Sequence, residues 1–274
     1  MAYLIDGKKI SQEIKDELKA EVAELARQGK TASLAVIQVG ADPASSVYVR
    51  NKKNACAYIG IGSESYELPE ETSEKELLAL IAELNHKEEV RGILVQLPLP
   101  AHINEEKVIL AIDPAKDVDG FHPQSAGALM IGSQGFLPCT PAGVIQLLKR
   151  SDIEIEGKNC VVLGRSNIVG KPMAMLMLRE NATVTITHSR TKDLREVCCR
   201  ADILIVAIYF TVFNQDIGAG INVNTIRTGT MPPYVIIDFQ SVQGTLVGIQ
   251  HLATPKSGTH QGKEIGRASC RERV

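Results

Sequence analysis

The stretch KNCVVLGRSNIVGKPMAMLMLREN, residues 158–181, sets a glycine turn between an apolar run and an amphipathic segment. Two further apolar runs follow it, ATVTITH and DILIVAI, with a polar segment near 192–199 between them. This spacing predicts β-α-β-α-β, which closes as a parallel sheet with right-handed crossovers. Strands buried on both faces explain why VVL and ILIV run apolar without alternation.

The same grammar governs the first half. Ile10, Ile14, Leu18, Val22 and Leu25 fall on one stripe of a helix over 10–28 that Gly29 closes. ASLAVIQVG reads as a buried strand, SSVYVRNKKNACAYIGI as a helix, and ESYEL as a polar strand. Ser73 and Glu76 form a capping-box signature ahead of a helix, and RGILVQLPLP is a strand stopped by Pro98 and Pro100. From Pro141, PAGVIQLLKR opens another helix with proline near its start. With no internal repeat, the chain is expected to be α/β in two domains: residues 1–140 as a catalytic domain and 141–250 as a Rossmann-like nucleotide domain, with a cleft between them. Residues 251–274 are expected to be an irregular tail. At 274 residues the chain is long enough to give both units a core.

The glycine turn reads as an anion site. Gly164 permits the tight turn, Ser166 and Gly170 allow close backbone approach, and the helix that follows offers free N–H groups. The spacing is G-x-S-x-x-x-G, so the usual dinucleotide fingerprint is met only in part. An acidic residue roughly 20 positions on would mark NAD. His188, Ser189 and Arg190 stand there instead. A hydroxyl and a guanidinium suit a 2′-phosphate, with Arg165 as a second cation, so NADP is the expected cofactor.

In the first half, Tyr48 and Lys52 lie one helical turn apart on the same face. Arg50, Lys52 and Lys53 alone would suggest no more than a solvated basic face. Gln96, however, ends a strand that is otherwise apolar, so its amide is half-buried and needs partners. Asp117 and Asp119 sit in a turn with Gly120 in DPAKDVDGFHP, which by itself is ordinary turn chemistry. Three polar clusters at the ends of apolar elements, beside a nucleotide fold, point to a catalytic site.

These stretches together resemble the bifunctional methylenetetrahydrofolate dehydrogenase/methenyltetrahydrofolate cyclohydrolase family. The matching segments are VGADPASSVYVRNKKNACAYIGI, GILVQLPLPAHI, IDPAKDVDGFHPQSAG, PCTPAGVIQLL, VVLGRSNIVGKPMAMLM, HSRT and ADILIVAI, in the family's order over about residues 1–208. The resemblance implies NADP-dependent oxidation of methylenetetrahydrofolate and hydrolysis of the methenyl product. It implies that Tyr48 stacks on the folate rings, that Lys52 is the cyclohydrolase lysine, and that Gln96 hydrogen-bonds Lys52 and adjusts its protonation. Asp119 would hold the pterin, with Val95 and Leu97 in the folate cleft. Gly164, Arg165, Ser166 and Ser189 would contact NADP, beside the Arg190 already read from its own chemistry. Asn54 stands where many members carry a second lysine. A homodimer joined through the nucleotide domain is implied as well. Tyr-x-x-x-Lys also marks short-chain dehydrogenases, but their glycine turn precedes the tyrosine, and here it follows.

After Ile208 the pattern is lost. YVIID and GTLVG echo expected strands, FQSV replaces a glycine-isoleucine-asparagine turn, and ATPKSGTHQG is a weak echo of the substrate loop. The last eleven residues, EIGRASCRERV, read as a translated sequencing adapter. A second expectation therefore stands beside the enzyme: an inactive nucleotide-binding remnant. Net charge −2 gives no footing for a nucleic acid or a membrane surface. The absence of a long apolar run or a signal ahead of AYLIDGKKI leads to a cytoplasmic expectation. The six cysteines lack paired spacing and read as small hydrophobes, and the scattered histidines do not suggest zinc.

Overall fold

The computed structural model describes residues 5–206 and 235–238. The first sheet holds β1 (Ser33–Val39), β2 (Gly62–Leu68) and β3 (Val90–Val95), all parallel in the order β2-β1-β3. The central strand β1 is buried along nearly its whole length, as its unbroken apolar run requires. On one face lie α1 (Gly7–Arg27) and α2 (Pro43–Ile59), which bury Ile10, Ile14, Leu18, Cys56 and Ile59 against Leu34, Val36 and Leu94. The other face is covered by α3 (Glu74–His86) and α4 (Glu105–Ala111), where Leu77, Ile81, Leu84 and Val108 meet Ala35, Ile37, Ile93 and Val95. Each such side chain contributes roughly 1.5–3 kcal/mol when fully buried.

The helix ends follow from local chemistry. Asp6 caps α1 by accepting from Lys9 N, Asp42 caps α2 from Ser45 N at 2.7 Å, and the Ser73–Glu76 capping box is formed in both directions. At the far end of α2, Gly60 takes φ +91°, a left-handed value that glycine accepts without a Cβ penalty.

Between the two sheets run α5 (Pro123–Ile131) and α6 (Cys139–Arg150). Their core contacts divide between the sheets. Leu129, Val144, Ile145 and Leu148 enter the second core, whereas Leu147 enters the first. Arg150 adds a bidentate bond to Glu17 of α1, at 2.8 and 2.7 Å.

The second sheet is β4 (Asn159–Leu163), β5 (Thr183–Thr187), β6 (Ile203–Val206) and β7 (Val235–Asp238), parallel in the order β5-β4-β6-β7. The helix α7 (Gly170–Arg179) crosses from β4 to β5 and buries Met173, Ala174 and Met177; α8 (Leu194–Cys199) crosses from β5 to β6. In each sheet the first strand is flanked by the next on one side and by a later one on the other. In open α/β sheets such a reversal marks where ligands bind, outside the carboxyl ends of the strands.

The expected strands and long helices are present, with shifts of one to three residues at their ends. Two helices were not anticipated. The α4 segment spans only seven residues, and α5 grows out of a stretch that reads as turn chemistry until His122 caps it and Pro123 takes the first turn. Residues 235–238, within the YVIID echo, form the strand β7 beside β6. The other expectations for the chain after Ile208, the adapter-like end included, lie outside the described residues.

Candidate active site

The carboxyl ends of β1 and β3 are joined by Gln96 N, which donates to Ile37 O at 2.8 Å. Alternation along the chain then separates the side chains. Gln96 turns toward α2, while Val95 and Leu97 face α4 and line a recess with Ile93, Asp119 and Phe121. Lys52, three turns into α2, donates from Nζ to Gln96 Oε1 at 3.1 Å. The orientation of the amide is fixed by its other end, since Gln96 Nε2 donates to Leu97 O at 2.8 Å. Tyr48 lies one turn before Lys52 and is half-buried.

The start of α2 is itself anchored by a residue that sequence reasoning missed. Gln38, buried near the end of β1, donates to Gly40 O at 3.1 Å and to Ser46 Oγ at 3.0 Å. Its signal was available: like Gln96, it is an amide inside an apolar run.

Asp119 is carried by the loop that follows β3's outer neighbour, residues 116–117. Ile93 N donates to Lys116 O at 2.8 Å, and an isolated parallel bridge links Ile93 with Asp117. Burial pushes the Asp119 carboxyl up to about 6; the Lys52 ammonium opposes that rise and the Asp117 charge adds to it. Asp119 keeps some accessible surface as a residue, but its carboxyl is densely surrounded. Cys139 Sγ, at the start of α6, stands 3.9 Å from Asp119 Oδ1 and 3.6 Å from Val118 O. An ammonium, an amide and a carboxyl near its titration point therefore share one corner, suited to holding a heterocycle and moving protons.

At the second sheet, Gly164 N donates to Thr187 O at 2.9 Å, so the glycine turn and the end of β5 lie side by side. Gly164 has φ +127°. A Cβ on Gly170 would stand 2.3 Å from Gly164 O, so only glycine lets α7 start this close to the turn. One expectation needs correction. The first amides of α7 are not free: Val169 N and Gly170 N both donate to Ser166 Oγ at 3.2 Å, and Lys171 N donates to Ser166 O at 3.0 Å. Ser166 acts as the helix cap. The amides of Arg165, Ser166 and Asn167 have no partner among the described residues, so they stay available to an anion beside the turn. Past β5, His188 N donates to Thr191 Oγ1 at 2.9 Å and Arg190 N to His188 Nδ1 at 3.1 Å. This tight turn leaves Ser189 and Arg190 exposed, as Arg165 is. A close glycine turn, unpartnered amides and exposed cations fit a phosphorylated dinucleotide.

Known proteins share these features. The profile of the tetrahydrofolate dehydrogenase/cyclohydrolase catalytic domain matches residues 5–119, and that of the family's NAD(P)-binding domain matches residues 138–216. A bifunctional protein FolD of Lachnoclostridium phytofermentans is 73% identical over 208 residues, which is 76% of this chain and 74% of the relative. Among solved structures, the bifunctional FolD enzyme of Campylobacter jejuni superposes with TM-score 0.73 at 51% identity, over 75% of this chain and 73% of that one. The Trypanosoma brucei methylenetetrahydrofolate dehydrogenase-cyclohydrolase, solved with NADP cofactor and an inhibitor, gives TM-score 0.72 at 39% identity, over 75% and 71% of the two chains. With both domain profiles matched in order and a relative 73% identical over 208 residues, the chain belongs to the tetrahydrofolate dehydrogenase/cyclohydrolase family.

Proposed function

We propose that the chain oxidises 5,10-methylenetetrahydrofolate to 5,10-methenyltetrahydrofolate with NADP and hydrolyses the product to 10-formyltetrahydrofolate, serving one-carbon metabolism. The observation that carries this reading is the Lys52 Nζ to Gln96 Oε1 bond at 3.1 Å, with the Asp119 carboxyl within electrostatic reach of the same ammonium. NADP, when bound, accepts the hydride of the folate methylene carbon.

The chain's own residues position and protonate. Tyr48 presents its ring to the folate heterocycle one turn from Lys52, while Asp119 holds the pterin and the backbone of Val95 and Leu97 flanks Gln96 in the cleft. Lys52 moves the proton when water adds to the methenyl carbon and the C–N bond opens; Gln96 is neutral and acts by holding the ammonium in place. Gly164, Arg165 and Ser166 take the nucleotide's phosphates, and Ser189 and Arg190 take the 2′-phosphate. The inactive-remnant alternative is not favoured, because matches to the family run through both domains. A cytoplasmic homodimer completes the reading. Among the described residues, no helix is long and apolar enough to cross a membrane.

The test is the rate of NADPH formation from methylenetetrahydrofolate, beside the decay of the methenyl product. Turnover is expected with NADP and little with NAD. In Lys52→Met, hydration should fall by about 100-fold or more, with hydride transfer reduced far less. Equal loss of both steps would remove Lys52 from the hydration role, and no turnover with either cofactor would restore the remnant. Sedimentation of the chain at assay concentration checks the homodimer, which a monomer there would rule out.

A further inference from the structure

We infer that Asp117 is a positioning residue of the folate site: it holds the loop that carries Asp119 and ties that loop to α5. This rests on the assignment of Asp119 to the pterin.

The loop's geometry converges on one side chain. Asp117 is only 2% exposed. Its Oδ2 accepts from His122 N at 2.8 Å and from Ser125 Oγ at 2.8 Å, and its carbonyl accepts from Gly120 N at 3.2 Å. Its backbone is bridged to Ile93 of β3. One residue thus closes the turn around Asp119, fastens it to the sheet, and fastens it to the first turn of α5, whose Leu129 lies in the second core. On the loop's other side, a Cβ on Gly120 would meet Pro138 N at 2.9 Å, so the loop runs close against that segment and only glycine fits there.

A neutral side chain could close the same turn. An acid buried to this degree, with no ion pair among the described residues, costs desolvation that an amide would not. What the acid adds is a negative charge beside Asp119. Facing the Asp119 carboxyl are Lys52 from α2, Asp117 from its own loop and Cys139 from α6. Removing the Asp117 charge should let Asp119 ionise at lower pH.

Asp117→Asn keeps a carbonyl oxygen for both donors and removes only the charge; Asp117→Ala removes both. Asp117→Asn is expected to keep the folate KM within about threefold while the acidic limb of the rate profile moves to lower pH. In Asp117→Ala the folate KM is expected to rise about tenfold or more, with the NADP-induced rise in melting midpoint unchanged. Should the alanine variant fail to fold, Asp117→Asn and Ser125→Ala carry the test, and Ser125→Ala is expected to raise the folate KM by a smaller factor. Wild-type KM and pH profile in these variants would overturn the inference, as would a loss that falls equally on folate and NADP. Asp119→Asn run alongside separates the two levels. If it leaves the folate KM unchanged, the pterin assignment itself fails.

Discussion

Asp119 shows how a single residue can trade stability for chemistry. Its carboxyl is raised by burial to about 6, so the folded protein holds that proton more tightly than the unfolded chain does. The contribution to stability is therefore full below the ordinary carboxylate range and is lost as pH rises through about 6. Asp119→Asn should stabilise the protein by on the order of 2 kcal/mol at pH near 8, with little change near pH 4. Urea midpoints at the two pH values check this, and an equal shift at both would contradict it. Gly170 makes the opposite case, where nothing larger fits. Gly170→Ala forces a methyl to within 2.3 Å of Gly164 O, so NADP affinity should drop and the melting midpoint should fall. Titration of the variant with NADP decides it, and wild-type affinity would show that the turn can yield. Some of this was legible in the residues. Gln96 stood out as an amide at the end of an apolar run, and Gly164 as the strand-to-helix turn. The family resemblance singled out Asp119, but turn chemistry alone could not separate the two aspartates of DVDG, and only folding shows which carboxyl faces inward to Ser125 and which toward Lys52.

Among the elements, those with long periodic patterns could be read directly. The stripe Ile10, Ile14, Leu18 became the buried face of α1, and the Ser73–Glu76 pair became a closed capping box. Ser73→Ala removes the acceptor for Glu76 N and should cost about 1 kcal/mol. Thermal unfolding measures this, with activity unchanged because α3 packs on the face of the sheet away from α2. The α4 and α5 helices escaped because seven and nine residues carry too few turns for a period to declare itself. Their stability comes from packing of Val108 and Leu129 into cores assembled by other elements.

For the whole molecule, the connection between the two cores matters most. Adjacent residues of α6 serve different cores, Leu147 the first and Leu148 the second. Leu148→Ala should cost about 2–5 kcal/mol, and NADP at roughly 100 times its Kd should restore about 2.7 kcal/mol of that loss. Calorimetry with and without NADP tests both figures; the absence of a ligand shift would place the damage in the nucleotide site. The Arg150–Glu17 pair across the cores is partly exposed, and Arg150 holds the Glu17 carboxyl below its usual range. Its contribution is present above that range and fades on acidification, and it amounts to less than about 1 kcal/mol. By itself the sequence determined the alternation of strand and helix, hence two parallel sheets, and the glycine turn with its serine and arginines, hence the nucleotide class. Those are local properties: burial period, turn chemistry and charge travel with the residue. Which polar groups meet was decided only by tertiary structure. Lys52 and Gln96 are 44 residues apart, and the sheet order β2-β1-β3 brings their helix and strand together. Ser166 spends its hydroxyl on capping α7, and Asp117 turns inward to Ser125. A hydrogen bond is set by distance and angle, and those exist only once the cores have packed.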